Sequence, residues 1–566
     1  MGESCARTAL KNGWLVRVPG SRVPSFVKEP YMAPKTQRIF GPPGTGKTTA
    51  LLEVVERHLR EGVPPQEIGF MAFTRAAARE AKSRALQVFP WLDNDDLRWF
   101  RTIHSACYSL LGLGRGSVAT GARLKDFALQ FGYEISPPAD KDPETFEVQE
   151  MMLRTLGDYL LFFEDWRRNL TLWDIAEAYN RFLEPVDCPD GWSLAQVTEF
   201  HHRYRHWKAD NGLVDFADML MLVLRDRVAP TISVLIVDEM QDLSPLQAEV
   251  IRLWAGGAKL LYLAGDPDQA IYTFNGADPG VFLNWPHDDD RQLTQSHRVP
   301  RAVHEIALRL IRRNRKRVDV PYKPQQEEGY VRFGYLNSFP LETLAQEGSV
   351  LLLARNRYLL SDFTDDLIRK GLPFEALRGS SPLKQSVTSV ILAGRKLGRG
   401  EKISVADAAR FVDALRSSGY LVRGAKTRLA ELARQRPEAN VAVWDLEGYF
   451  KPALWDLLVN KDGDFIEALR LPALERAYYK RLLDRGGERM LTTQAPIRVG
   501  TIHSAKGMEA DFVVLRPEMA GRTYAEWLRA PEGERRCWYV GLTRAKKGLW
   551  LLEAEGIRAI DWRLEL

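Results

Sequence analysis

A glycine-rich stretch near the N-terminus has the residue types and spacing of a phosphate-binding loop. Residues 40–49 read FGPPGTGKTT, which fits the P-loop pattern G-x-x-x-x-G-K-[ST]. Consecutive backbone N–H groups of such a loop point into one concavity that holds phosphate oxygens. Lys47 would carry positive charge toward the β and γ phosphates, and the Thr48 hydroxyl would bind Mg²⁺. The stretch predicts a nucleoside triphosphate site made by Gly41, Pro42, Gly44, Thr45, Gly46, Lys47, Thr48 and Thr49.

Two later stretches end in groups that could complete a hydrolytic site. Residues 231–242, TISVLIVDEMQD, are an apolar run that ends in Asp238 and Glu239. Asp238 would hold Mg²⁺ directly or through water, and Glu239 would orient and deprotonate the attacking water. Residues 260–269, LLYLAGDPDQ, place Gln269 where it could sense the γ-phosphate. An apolar strand that simply ends in an acidic turn is the alternative, and the P-loop in the same chain argues against it.

Polar and aromatic side chains at strand ends are candidates for contact with nucleic acid. Hydroxyl and basic groups could bind phosphates, and aromatic rings could stack on bases. Taken alone, such positions are more often ordinary strand–helix junctions or core aromatics. The candidates in this part of the chain are Thr74, Arg75, Thr102, His104, Tyr272 and Phe274.

These residues require an alternation of buried strands and helices to position them. The pattern predicts a strand ending at Phe40, a helix over 49–60, and further strands over 68–74, 231–237 and 260–264. Open parallel sheets bind ligands at the carboxyl ends of their strands. Residues 112–211 instead have helical periodicity, which predicts an insertion. Within it, the stretch HHRYRHWK at 201–208 could contact nucleic acid or form an amphipathic surface, and metal binding there is disfavoured.

Composition predicts an ordinary globular protein of several domains. The chain has 566 residues, 45% hydrophobic and 27% charged, with a net charge of +5 that is compatible with nucleic acid without identifying it. Four widely separated cysteines argue against a zinc site or a disulfide framework and favour a reducing cytoplasm. With no apolar stretch long enough to span a bilayer, we expect a cytoplasmic location and no membrane partner. Residues 1–35 are expected to lie over the nucleotide site.

Taken in order, the motifs resemble those of the UvrD/Rep-type helicases of superfamily one, the branch that moves 3′ to 5′. The pairing of DEMQD with GDPDQAIY is specific to this group, as are TIHSAKGME at 501–509 and YVGLTRA at 539–545. The matching stretches, which span most of the chain, are 41–48, 73–82, 102–111, 214–220, 237–242, 264–277, 293–298, 499–514 and 534–546.

The resemblance implies an α/β fold with two RecA-like P-loop domains, each with a parallel sheet and each interrupted by a mainly helical insertion. The expected parts are residues 1–111 (N-terminal segment and start of domain one), 112–211 (helical insertion), 212–285 (rest of domain one), 286–396 (start of domain two), 397–490 (second helical insertion) and 491–566 (rest of domain two).

The resemblance also implies ATP and Mg²⁺ as cofactors, and single-stranded DNA and single-strand/duplex junctions as partners of a monomeric or weakly self-associating helicase. Lys47, Glu239 and Gln269 would act with Arg298 and Arg544, two arginine fingers from the second domain. His297, Gly507 and Glu509 would contact the nucleotide, with Glu509 at the ribose. Thr501 and His503, together with Phe73 and the strand-end candidates that follow it, would bind DNA.

Three positions depart from the family pattern. Thr49 stands where an arginine usually stacks on adenine, His297 replaces a tyrosine, and Phe274 replaces a tryptophan. Gln37 lies too close to Gly41 to be assigned as the adenine-reading glutamine. Alternatives are a translocase that displaces bound proteins with little unwinding, RNA as the track, and a module that binds the nucleotide without hydrolysis.

Overall fold

The computed structural model describes residues 33–136, 153–183, 188–315, 317–378, 381, 383–460 and 464–566. Most of the N-terminal segment that we expected over the nucleotide site therefore lies outside the described residues. The chain forms two compact units. The first comprises residues up to 328 together with 520–543 and residue 566, and the second comprises 329–519 and 544–565.

The strands of both units are short and mostly apolar. In chain order they are β1 (Lys35–Phe40), β2 (Ile68–Ala72), β3 (Phe100–Thr102), β4 (Val234–Val237), β5 (Leu260–Gly265), β6 (Asp289–Gln292), β7 (Tyr330–Gly334), β8 (Val350–Ala354), β9 (Phe374–Ala376), β10 (Ile403–Ser404), β11 (Asn440–Val441), β12 (Ile497–Thr501), β13 (Ala510–Leu515) and β14 (Ala545–Leu552).

The α-helices connect these strands or form the insertions. They are α1 (Lys47–Arg60), α2 (Arg75–Val88), α3 (Ile103–Leu110), α4 (Gly121–Phe131), α5 (Leu156–Asn169), α6 (Ile175–Leu183), α7 (Leu194–Asp210), α8 (Phe216–Asp226), α9 (Pro245–Ala255), α10 (Pro279–Leu283), α11 (Arg301–Ile311), α12 (Leu341–Glu347), α13 (Leu360–Lys370), α14 (Gln385–Gly398), α15 (Val405–Ala414), α16 (Ala425–Gln435), α17 (Pro452–Trp455), α18 (Ala473–Gly486), α19 (Arg489–Thr492), α20 (Gly521–Arg529), α21 (Pro531–Leu542) and α22 (Trp562–Glu565).

The first unit contains a six-stranded sheet in the order β3-β2-β4-β5-β1-β6. Its strand pairs are all parallel. The central strands β2 and β4 are buried along their whole length, as expected for a parallel sheet covered by helices on both faces. The carboxyl ends of β1, β4 and β5 lie side by side, so the loops after them share one edge of the sheet.

The helices of the first insertion surround an aromatic core. Helices α4 to α7 contribute Phe127, Phe163, Phe182, Phe200 and Trp207 to one buried cluster. Tyr204 and Trp207, in the stretch 201–208, are 3% and 4% exposed, so these two rings pack in the core of the insertion. Base stacking by these two rings, one form of the predicted nucleic-acid contact, is therefore wrong, and phosphate contact by the basic residues of the stretch stays a prediction.

The second unit has its own six-stranded sheet, in the order β7-β14-β13-β8-β12-β9, and again every pair is parallel. Helices α14 to α19 and the antiparallel pair β10–β11 interrupt it. The expected fold class, two RecA-like domains with parallel sheets and helical insertions, is confirmed.

Two expected boundaries differ from the structure. We expected the second domain to begin at residue 286, but β6 pairs in parallel with β1 and extends the first sheet. All four residues of β6 are exposed, so this edge strand lacks the apolar pattern that marks the others. We also expected 491–566 to lie wholly in the second domain, whereas 520–543 belongs to the first unit.

The second insertion also starts earlier than expected. Helix α14 begins at Gln385, ahead of residue 397, and it packs on α15 of the insertion. Within the described ranges, none of the helices combines the length and the apolar character needed to cross a membrane.

Candidate nucleotide and nucleic-acid site

The loop after β1 has the shape that a phosphate-binding loop requires. The Gly41 N–H donates to the Gly265 carbonyl across 3.2 Å, which joins the loop to the end of β5. Gly44 and Gly46 have φ of +75° and +81°, a region that side chains other than glycine rarely occupy. The Thr45 hydroxyl donates to the Pro42 carbonyl at 2.8 Å. Helix α1 then begins at Lys47.

Lys47 lies at the centre of the polar groups on this edge. Its Nζ donates to the Gly41 carbonyl at 2.9 Å and lies 3.9 Å from Glu239 Oε1. Helix α1 has no acidic residue in its first turn, so nothing there opposes an anion at the positive end of the helix dipole. This arrangement fits a triphosphate, with Thr48 and Asp238 as the residues that would hold Mg²⁺.

The turn after β4 places Asp238 and Glu239. Asp238 is 3% exposed, and its backbone N–H donates to the Met71 carbonyl at 2.9 Å. Glu239 has φ of +52°, which costs on the order of 1–3 kcal/mol for a residue other than glycine and is common at functional sites. The Asp238 carboxylate accepts the Glu239 N–H at 2.8 Å, which helps to hold this turn.

Gln241 is a member of the site that sequence reasoning missed. Its side chain is fully buried, and its Nε2 donates to Glu239 Oε2 at 2.5 Å and to Asp242 Oδ2 at 3.1 Å. Its Oε1 accepts the Asp266 N–H at 2.9 Å. Gln241 therefore joins the turn after β4 to the turn after β5. The glutamine was visible within DEMQD, but its partners depend on the neighbouring strand.

The turn after β5 holds Gln269 through Asp266. The Gln269 side-chain amide donates to Asp266 Oδ2 at 2.7 Å, and the Asp268 N–H donates to Asp266 Oδ1 at 3.0 Å. Burial and the neighbouring Asp268 carboxylate raise the pKa of Asp266 to about 6, although Lys47 and these hydrogen bonds act in the opposite direction. Asp268 in turn accepts from Arg317 Nη2 at 2.8 Å.

Arg298 belongs to the first unit and not, as we expected, to the second domain. The backbone N–H of its neighbour His297 donates to the Gly44 carbonyl at 2.8 Å. The His297 side chain is exposed and the Arg298 side chain is half-buried. The segment that follows β6 packs directly on the P-loop. Arg298 therefore lies in the first unit, next to the loop.

The remaining nucleotide candidates lie together in the second unit. Gly507 has φ of +81°, and Glu509 Oε1 lies 3.6 Å from Lys546 Nζ. Arg544 is 2% exposed and donates through Nη1 to the Met508 carbonyl at 3.2 Å. These residues occupy the turn between β12 and β13 and the start of β14.

The nucleic-acid candidates of the first unit lie after β2, β3 and β5. The rings of Phe73 and Tyr272 are 5.0 Å apart, and those of Tyr272 and Phe274 are 6.3 Å apart. Tyr272 is buried and Phe274 half-buried, so Phe274 presents more of its ring to solvent. A pocket beside them is lined by Ala72, Phe73, Thr102, Ile103, His104, Leu243 and Gln247.

Two of the threonine candidates also cap helices. The Thr74 hydroxyl accepts the Ala77 N–H at 3.2 Å, and the Thr102 hydroxyl accepts the Ser105 N–H at 3.3 Å. A hydroxyl that accepts one N–H can still donate its own hydrogen to a phosphate. Desolvation lowers the pKa of His104 to about 4, so near neutral pH its imidazole is uncharged. Arg75 is the first residue of α2 and is half-buried.

In the second unit, Thr501 ends β12 and His503 begins the turn that follows. Both side chains are buried, at 6% and 4% exposure. The Thr501 hydroxyl accepts the Ser504 N–H at 3.2 Å, a bond to the N–H three residues later, as Thr74 and Thr102 also make in the first unit.

Two family models match the chain. The model described as the UvrD/REP helicase N-terminal domain matches residues 31–290, and the UvrD-like helicase C-terminal domain matches residues 473–556. Together the two matches cover more than half of the chain.

Curated relatives match at low identity. A probable DNA helicase II homolog of Mycoplasma capricolum is 22% identical, over 92% of this chain and 82% of its own length. The ATP-dependent DNA helicase UvrD2 of Mycobacterium bovis is 26% identical over 63% of this chain, and the ATP-dependent DNA helicase PcrA of Leuconostoc citreum is 28% identical over 50%. The matches span 54% and 38% of those two proteins.

Proposed function

Because the chain belongs to the UvrD/REP helicase family, we propose that it is an ATP-dependent DNA helicase. In this proposal it hydrolyses ATP to move 3′ to 5′ on single-stranded DNA and to separate duplex strands. The observation that carries the proposal is the meeting of three neighbouring strand ends. Lys47 after β1, Glu239 after β4 and Gln269 after β5 share one sheet edge, with Lys47 Nζ 3.9 Å from Glu239 Oε1.

The roles proposed at this edge follow from the charges of the side chains and from the distances between them. Glu239 would accept a proton from the attacking water, and Gln241 Nε2 at 2.5 Å would hold its carboxylate in place. Lys47 would leave the Gly41 carbonyl and pair with the β and γ phosphates. Bound Mg²⁺, held by Thr48 and Asp238, would supply positive charge to the phosphate oxygens.

Arginines and nucleotide contacts outside this edge complete the proposal. Arg298 and Arg544 would stabilise the charge that develops on the γ-phosphate as it departs. His297, Gly507 and Glu509 would contact the remainder of the nucleotide. For DNA, Phe274 would stack on a base, and the hydroxyls of Thr74, Thr102 and Thr501 would donate to phosphates. Phe73, Arg75, His104, Tyr272 and His503 are the other proposed DNA contacts.

ATP turnover with and without single-stranded DNA tests the proposal. We expect DNA to stimulate turnover strongly in the unmodified protein. Lys47→Ala should lose both ATP affinity and turnover, because it removes the charge that pairs with the phosphates. Glu239→Gln should bind ATP normally and lose turnover by about a hundredfold or more, as expected for a general base. Undiminished turnover in Glu239→Gln would remove Glu239 as the base.

Tailed duplexes then separate the helicase from its alternatives. We expect a duplex with a 3′ single-stranded tail to be opened and one with a 5′ tail to remain closed. Movement along single strands without strand separation would favour a translocase that displaces bound proteins. Turnover stimulated by RNA and not by DNA would identify RNA as the track.

A further inference from the structure

Two short segments of the first unit run together beside the P-loop. Residues 294–299 and 320–325, here called the paired segments, are joined by backbone hydrogen bonds. The Lys323 N–H donates to the Thr294 carbonyl at 2.8 Å, and the Ser296 N–H donates to the Lys323 carbonyl at 2.9 Å. A third bond, from the Gln325 N–H to the Val299 carbonyl, measures 2.9 Å. The paired segments therefore form one stiff element.

Three hydrogen bonds join the paired segments to carbonyl groups of the P-loop. The hydroxyls of Ser296 and Tyr322 both donate to the Pro43 carbonyl, each at 2.9 Å. The His297 N–H donates to the next carbonyl, that of Gly44, at 2.8 Å. Pro43 is buried, so its carbonyl oxygen depends on these donors.

The contact is close enough to exclude a side chain on the loop. A Cβ at Gly44 would lie 2.7 Å from Ser296 Oγ and 2.5 Å from Arg298 Cβ. Tyr322 is itself held in place by His304. Its carbonyl lies 3.0 Å from His304 Nε2, and the two rings are 4.6 Å apart. These contacts with His304 fix the position from which the Tyr322 hydroxyl donates to the Pro43 carbonyl.

The direction of these bonds has a consequence for the phosphate site. A peptide unit has its C=O and N–H on opposite sides, so a Pro43 carbonyl held toward the paired segments leaves the Gly44 N–H pointing away from them. The next N–H, that of Thr45, donates to the Pro42 carbonyl at 3.3 Å. We propose that Tyr322 is a positioning residue for ATP, which, together with Ser296, fixes the Pro43–Gly44 peptide so that the P-loop is preorganised for phosphate. This inference rests on the proposed function, and no family motif identified above includes Tyr322.

Tyr322→Phe tests the inference because it removes one hydroxyl and keeps the ring. Binding of ATP and ADP with Mg²⁺ is measured by calorimetry on the full chain, and kcat and KM are measured with single-stranded DNA. The loop holds the phosphates equally in the ground state and the transition state. We therefore expect Kd and KM to rise about fivefold, the worth of a typical hydrogen bond, with kcat within about twofold. Affinity for a single-stranded oligonucleotide should not change.

Tyr262→Phe is the matched control. Its hydroxyl is also hydrogen-bonded within the first unit, accepting from Arg57 Nη2 at 2.8 Å and lying 3.0 Å from His58 Nε2. These partners lie in the last turn of α1, far from the P-loop. We expect Tyr262→Phe to leave nucleotide affinity unchanged, whatever its effect on thermal stability.

The double variant Ser296→Ala, Tyr322→Phe sharpens the test. Either single variant leaves the Pro43 carbonyl one donor, whereas the double variant leaves a buried acceptor with neither, and an unsatisfied buried acceptor is the costlier state. The loss of ATP affinity should therefore exceed the product of the two single losses.

Three results would overturn the inference: unchanged nucleotide affinity in Tyr322→Phe, a loss confined to kcat, or an equal loss of DNA affinity. If the unmodified protein bound no ATP, the proposed function would fail and this inference with it, and that outcome is distinct from the other three.

Discussion

At the scale of single residues, the surroundings of Asp266 show how two buried carboxylates are stabilised beside the proposed phosphate site. Asp266 is 6% exposed, and Asp268, also 6% exposed, lies next to it. Two buried carboxylates repel each other, so each needs a cation or donors. Arg317 supplies the cation for Asp268, and the Gln269 amide supplies a donor for Asp266. The orientation of Gln269 therefore depends on the charge of Asp266.

This dependence predicts that kcat decreases at acidic pH, which we call the acid limb of the pH profile. With a pKa of about 6, Asp266 is mostly ionised at pH 7 and gains a proton as the pH falls through 6. The charge-assisted bond from Gln269 then weakens. We expect kcat, measured at saturating ATP from pH 5 to pH 8, to fall on the acid side of pH 6. Asp266→Asn should have a kcat lower by roughly tenfold and no limb there.

The variant separates Asp266 from other titrating groups. The phosphates of ATP titrate in both proteins, so their contribution is common to the two profiles. A limb near pH 6 that persists in Asp266→Asn would assign it to another group.

At the scale of elements, a buried ionic cluster joins the first insertion to the sheet domain. Arg168 of α5 donates to Asp215 at 2.8 Å and lies 3.0 Å from Asp218. Lys208 of α7 donates to the same two carboxylates. Asp215 caps α8, and Asp218 completes the capping box. Burial disfavours the charge on Asp215, but Arg168 and Lys208 outweigh it and hold its pKa well below its usual range.

Breaking this cluster should destabilise the insertion. Arg168→Met would leave the buried Asp215 and the half-buried Asp218 to share Lys208, and the loss of one partner of a buried pair costs about 3–5 kcal/mol. Urea unfolding followed by tryptophan fluorescence would report it, because Trp166, Trp192 and Trp207 all lie in the insertion.

The control is Arg181→Met. Arg181 pairs with Glu177 on α6 at 3.9 Å, and both side chains are more than half exposed. Such pairs contribute about 0–1 kcal/mol. Equal losses in the two variants would contradict the assignment of the cluster as a structural joint.

At the scale of the whole molecule, the first unit is discontinuous in the chain. Helix α21 lies between β13 and β14 of the second sheet, yet it packs on α11 and on the turn at 267–269. The Asn314 side chain donates to the Glu532 carbonyl at 2.9 Å. Trp538, Tyr539 and Val540 are buried. The unit that contains the P-loop is therefore not complete without residues 520–543.

A fragment of residues 1–328 should be less stable than the complete first unit. Without α21 the fragment exposes the apolar surface that these three residues cover, so we expect thermal unfolding roughly 10 °C or more below that of the complete unit. The reference is the same fragment joined to 520–543 through a flexible glycine–serine linker, which should also bind ATP more tightly. Identical melting of the two fragments would show that α21 contributes little.

The sequence by itself determined the chemistry that depends on neighbours in the chain. A P-loop, an acidic strand end and a capped helix are local, because the backbone conformation and the side chains that use it lie within about ten residues. The strands β1, β2, β4 and β5 and the helical character of the insertions were accordingly predictable, whereas the fold with two RecA-like domains was implied by the resemblance of the motifs to a family.

Only the tertiary structure decided which distant groups meet. It placed Arg298 in the first unit, paired the polar strand β6 with β1, and assigned 520–543 to the first unit. It also brought Gln241 to Asp266 and Tyr322 to Pro43, partners that are 25 and 279 positions apart. Such contacts leave no periodic pattern, because each depends on how separate elements pack and not on the residues that flank it.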